Sequence, residues 1–213
     1  PIFGAAGSVA LGGGGAVGPA SDVSIISNKT KAYIAGDAEV RAESNVVVKA
    51  NASEDIHLIV IGAAGASGYT VGASVPVLDL TTETHAYIGE EAVVVSQGNV
   101  LVTAKDHTET DMIGGAAAIS GAGGFGASVV TTMINKDTRA YVAPLADVSA
   151  LGNSETTILV FSGEANSDGK YKNDDDEFRQ CDISGLGVQA ASSEDVFAIA
   201  VAGAAGSNGG VAG

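Results

Sequence analysis

The residues whose types and spacing could do chemistry lie in one short acidic stretch. Glu164-x-Asn166-x-Asp168-Gly169, followed by Asp174, Asp175, Asp176 and Glu177, sets oxygen-bearing side chains at alternate positions ahead of a glycine. Calcium takes six to eight oxygen ligands, and alternating carboxylates and amides closed by a Gly turn can wrap one ion. Glu164, Asn166, Asp168, Asp174 and Asp175 are therefore candidate ligands of a calcium loop. The stretch departs from an EF-hand: its first position is Glu, its twelfth is Asp175 rather than a bidentate Glu, and no helix pattern flanks it. The competing reading is a solvated acidic loop.

Other chemistry is sparse. His57, His85 and His107 share no HxH or HxxxH spacing, so they do not form a zinc motif. The lone Cys181 excludes an intrachain disulfide and a four-thiolate zinc site. GAGGFG (Gly121–Gly126) imitates a dinucleotide-binding glycine loop, yet no helical pattern follows it. Asp55, Glu109 and Asp195 occupy equivalent places in a repeat, which reads as a structural role at a turn rather than a catalytic pair. No enzyme activity is expected. A net charge of −15 leaves few cations for phosphate contacts and argues against a nucleic-acid partner. Apolar runs are too short or too rich in Gly and Ser for a membrane helix, so no membrane insertion is expected.

The elements that must position any such site repeat. NKTKAYI (Asn28–Ile34), TTETHAYI (Thr81–Ile88) and NKDTRAYV (Asn135–Val142) place Tyr33, Tyr87 and Tyr141 each 54 residues from the next. Asn45, Asn99 and Asn153 recur at the same interval, at a bend where Asn tolerates left-handed backbone and can hydrogen-bond along a stack. Around them, Val46, Val48 and Ala50 match Val100, Val102 and Ala104 in period-two alternation. The Gly/Ala tracts read as strands joined by tight Gly turns, because valine alternation resumes on either side.

The third copy departs after Asn153 and resumes at Leu186–Ala190, where Val188 and Ala190 stand for Val48 and Ala50. The intervening 154–185 is an acidic insertion expected on a surface loop or lateral protrusion. Equivalent residues at equivalent places, with no helix pattern, predict an all-β fold: a parallel β-helix (β-solenoid) built from ~54-residue repeats. The expected organisation is a single segment, 1–213, with units 1–50, 51–104 and 105–153 plus 186–213, each contributing two rungs. GAAGS occurs at both Gly4–Ser8 and Gly203–Ser207, which suggests either neighbouring repeats of a longer chain or copies self-associating head to tail as a homopolymer.

The copies NKTKAYIAGDAEV, NVVVKANASEDI and VGASVPVLDLTTETHAYIG resemble the repeats of giant bacterial surface and secreted adhesins, the leukotoxin and filamentous-haemagglutinin-like proteins of autotransporter type. The resemblance covers nearly all of the chain except the acidic insertion. It implies an extended stalk or filament at the bacterial cell surface or outside the cell, without an active site, facing a host or neighbouring-cell surface. The alternative is a carbohydrate-binding or carbohydrate-active β-helix, which needs clustered carboxylates and aromatics in a groove.

Calcium binding is directly testable. Thermal unfolding followed with calcium and again after EDTA should show a lower melting temperature on chelation; coincident melts remove the loop as a metal site.

Overall fold

The structure, a computed structural model, describes residues 1–153, 157–165 and 178–213. Among them every regular element is a strand, and no helix occurs. Alternation is the cause. In β4 (Val46–Ala66), Val48, Ala50, Ile56, Leu58 and Val60 are buried while Lys49 and Asn51 face outward. A period of two puts each set on one face of a pleated strand.

Each 54-residue unit contributes strands to three sheets. β1 (Ile2–Gly12), β4, β7 (Val100–Ser120) and β13 (Leu186–Gly206) form a four-stranded sheet in that order. β2 (Gly15–Ile34) pairs with β5 (Tyr69–Ile88), whose other edge carries β8 (Gly124–Ser128) and β9 (Thr131–Val142); β14 (Gly210–Ala212) lies beyond β8. The short β3 (Glu39–Ala42), β6 (Val93–Ser96) and β10 (Asp147–Ala150) make the third sheet. All pairs within these sheets are parallel.

The register is the repeat itself. Ile2 pairs with Ile56, Val46 with Val100, and Tyr33 with Tyr87. Paired residues are 54 apart up to the insertion and 86 apart across it, which accounts for the 32 inserted residues. The expectation of two rungs per unit is therefore corrected: each unit gives one layer. Two rungs would pair residues half as far apart, and among the described residues no parallel ladder does so. The strands are long enough, at 20 or 21 residues in β2, β4 and β5, that one layer consumes the whole repeat.

Two apolar clusters fill the interior. At one end Val48, Ala50, Ala86, Ile88, Val94, Val100 and Val102 meet where all three sheets converge. Nearer the middle, Ile56, Leu58, Leu78, Leu80 and Met112 pack between the two large sheets. Burying each large aliphatic stabilises by about 1.5–3 kcal/mol. Toward the far end the sheets close on one another. A Cβ added at Gly72 would lie 2.2 Å from the Ala117 carbonyl oxygen, so only glycine allows this approach. The Gly/Ala tracts are strand throughout, turned by short segments such as Ser67–Gly68.

Corners are made differently from the sequence expectation. Left-handed backbone falls not at Asn45 and Asn99 but at Asp37, Glu91 and Leu145, with φ of 59°, 58° and 61°. These three recur every 54 residues, at the bend into β3, β6 and β10. The asparagines instead use their amides along the stack. Asp55, Glu109 and Asp195 are also relocated: they pair in register within β4, β7 and β13, mid-strand rather than at a turn. The described part of the insertion forms β11 (Ile158–Phe161) and β12 (Gln180–Ile183), an antiparallel pair. It lies against the outer face of the four-stranded sheet, where Ile158 and Val160 cover Gly187 and Leu101. That cover explains why Thr103, outward-facing and polar, is buried.

Leu145 is 76% exposed, so its side chain gives little packing in return for a left-handed φ. That strain is about 1–2 kcal/mol for a residue carrying a Cβ. Leu145→Gly should therefore raise the unfolding midpoint in urea, whereas Gly72→Ala should cost about 3 kcal/mol through a backbone clash. Equal stability of both variants would contradict the stacked register.

Candidate functional site

The five-stranded sheet presents a grid of aligned side chains on its outer face. β2, β5 and β9 each contribute three alternate residues: Lys29, Lys31 and Tyr33; Glu83, His85 and Tyr87; Asp137, Arg139 and Tyr141. Parallel in-register pairing puts like positions side by side, so each row runs across the layers. The tyrosine row stacks ring on ring, with centroids 5.2 Å apart between Tyr33 and Tyr87 and 5.0 Å between Tyr87 and Tyr141. Interplanar angles of 8° and 3° follow from the strand spacing, which fixes both separation and tilt.

The rows beside the tyrosines are Lys29, Glu83 and Asp137, one cation and two acids, and Lys31, His85 and Arg139, which carries no acid. Glu83 accepts from Lys29 Nζ at 2.8 Å and from Lys31 Nζ at 2.6 Å. His85 sits between Glu83, at 3.4 Å, and Asp137, at 3.2 Å, and Arg139 Nε donates to Asp137 at 2.5 Å. Hydrogen bonds from Lys29 and then Lys31 hold the Glu83 carboxyl down at about 2, against an ordinary value of 4.5. The same contact raises Lys31.

Behind this face runs a polar band that is buried. Lys136 Nζ is paired with Asp106, reaches Glu194 at 3.4 Å and donates to the Ser193 carbonyl at 3.2 Å. Thr84 donates to the other Asp106 oxygen at 2.8 Å. One layer away, Asn28 and Thr108 each donate to Glu54 at 3.2 Å. Removing one member of such a pair strands a buried charge, typically at about 3–5 kcal/mol, so the band fixes which strand lies beside which. Its signal in the sequence is parity: Glu54, Asp106 and Lys136 fall on the same alternate positions as the buried valines and leucines.

The asparagine positions form a second file. Asn99, fully buried, donates from its backbone N–H and its amide to Asn45 Oδ1 at 2.8 and 3.1 Å. Asn99 Oδ1 in turn accepts from the Gly185 backbone N–H at 2.6 Å. Asn153 stands where the insertion leaves the layer and donates its backbone N–H to the Gln97 carbonyl at 2.9 Å. Among the described residues the file thus passes from Asn99 to the Gly185 backbone.

Of the candidate calcium ligands, Asn166, Asp168, Asp174 and Asp175 lie outside the described residues. Glu164 is exposed, and its backbone N–H donates to Ser162 Oγ at 3.2 Å. Among the described residues no group of three or more His, Cys, Asp or Glu side chains is placed to hold a metal. His57 lies between Asp55 and Asp111, at 2.7 and 3.1 Å, under the ring of Phe3. A groove of about 580 Å³ is lined by His85, Thr138, Arg139, Ala140, Tyr141 and Ala190.

No protein family model, curated protein or solved structure matches the chain.

The depressed Glu83 gives a signed pH test. Its folded value lies below the unfolded one, so its contribution is fully present above pH 4.5 and is lost as pH falls toward about 2. Urea titrations across that window should show wild-type stability falling more steeply than that of Glu83→Gln. Because Lys29 is largely exposed, high salt should shrink the difference. Parallel pH profiles would show that the lysine contacts contribute nothing in solution.

Proposed function

We propose that this chain is a structural segment of a bacterial surface or secreted filament: a β-solenoid whose 54-residue turns stack into a stalk, without catalytic activity. The observation that carries this reading is the tyrosine file, continuous through three layers in one register with rings nearly coplanar. A surface evolved around a reactive centre needs distinct residues converging on one point. Here the same residue type recurs along a line, which suits a periodic scaffold. The chain visits the four-stranded, five-stranded and three-stranded sheets in turn and returns one layer further on, the path expected of a solenoid.

The edges of this stack fit the same role. β1, β2 and β3 each pair on one side only, leaving backbone donors and acceptors unpaired along one end. Those groups suit another layer of the same kind, supplied by neighbouring repeats or by a second copy head to tail. A cell-surface or extracellular location follows from the adhesin resemblance, and the calcium loop over Glu164, Asn166, Asp168, Asp174 and Asp175 belongs to this reading as a staple of the insertion.

The carbohydrate-binding reading draws on the groove beside Tyr141, where no further ring stacks on that side among the described residues. Against it, the faces of Tyr87 are covered by its own neighbours, leaving ring edges rather than the open platform that sugar stacking uses.

Oriented fibres of stacked chains should diffract with a spacing of about 4.8 Å along the stacking direction, perpendicular to the strands. A compact particle with no such reflection would overturn the stalk, and strong signals on a glycan array, lost in Tyr141→Ala, would favour the sugar reading instead.

A further inference from the structure

Away from the charged grid, the two large sheets converge into a thin blade whose outer surfaces are apolar. On the four-stranded sheet the outward residues are Ile59 and Ile61 of β4, Ile113 of β7, and Ile199 and Val201 of β13. Ile59, Ile113 and Ile199 stand in one row across three layers. Ile59, Ile61, Ile113 and Val201 are 44%, 51%, 38% and 59% exposed. No charged residue occupies an outward position from residue 59 to 65, or at the paired positions of β1, β7 and β13.

We infer that this face docks, sheet on sheet, against the same face of a second copy of the chain. The contact would be lateral, perpendicular to the stacking direction, and does not depend on the proposed stalk. Area is the first argument. Four strands about 4.8 Å apart, each presenting four outward residues about 6.6 Å apart, give a flat face of about 510 Å². That is toward the upper end of what a monomer exposes, and two such faces together reach the roughly 1,000 Å² that a specific interface needs.

Relief is the second argument. Along the neighbouring row Gly7, Ile61, Gly115 and Val201 alternate small with large, and even a Cβ added at Gly7 or Gly115 would meet nothing closer than 3.6 Å. An identical surface turned about a two-fold axis can set its isoleucines into those gaps, as isologous interfaces require. Parallel sheets, moreover, generally have both faces covered. Charge decides against the other occupant. A net charge of −15 repels an anionic bilayer, and the face has no basic residue to offset it.

Sedimentation equilibrium of the 213-residue chain tests this directly. Wild type should show a monomer–dimer equilibrium in the micromolar range. The double variant Ile59→Lys/Ile113→Lys should raise the dissociation constant about tenfold or more with an unchanged β-type circular dichroism spectrum. Val75→Lys, exposed on the opposite face, should dimerise like wild type. If the double variant loses its spectrum, Ile61→Lys alone provides the same readout. A wild-type chain that stays monomeric overturns the inference, as does a dimer indifferent to these lysines or one dissociated by Val75→Lys alone. Flotation of monomeric wild type with phosphatidylcholine vesicles would assign the face to lipid and overturn it equally.

Discussion

The structure depends on parallel pairing in register, which obliges each residue to sit beside its own equivalent one layer away. A side chain that cannot tolerate a copy of itself or a complement at the strand spacing of about 4.8 Å is excluded from that position. The three tyrosines satisfy the rule by stacking, and the buried valines and leucines by dispersion. Charged residues satisfy it where a neighbour brings the opposite sign, as Lys29 does beside Glu83.

Where sign does not alternate, other features compensate. Asp55, Glu109 and Asp195 are three acids in one row, but they point outward, and His57 lies 2.7 Å from the first of them. Inside the molecule no such row of acids is possible, because solvent cannot screen it. There Asn28 and Thr108 flank Glu54, and Lys136 joins Asp106 to Glu194. The buried band therefore resists a one-residue slip, which would turn every inward group of a strand outward.

The same constraint divides the molecule into two ends. Where three sheets meet, the interior accepts Val, Ile and Ala; at the other end Gly72 and its neighbours bring two sheets into near contact. A thin end buries little apolar surface of its own. Its isoleucines and valines lie on the outside instead, the reverse of a conventional core, and this makes the blade an association surface while the tyrosine grid remains polar.

Much of this was legible in the residues. The interval of 54 and the period-two alternation fixed strand type, register and the size of the insertion, because a stack of equivalent layers needs equivalent residues. Layer number per repeat was not legible, since turn count depends on how far strands run through Gly/Ala tracts, and local propensity is silent on that. The inward polar band could have been read from parity, but its partners could not: Asp106 and Lys136 come from different sheets. Left-handed corners at Glu91 and Leu145 also escaped, because neither residue type favours that backbone. What the chain by itself determined is who pairs with whom along the stack. Only the tertiary structure decided which sheets face each other, and how closely, because that is set by packing across the interior between residues whose separation follows no repeat.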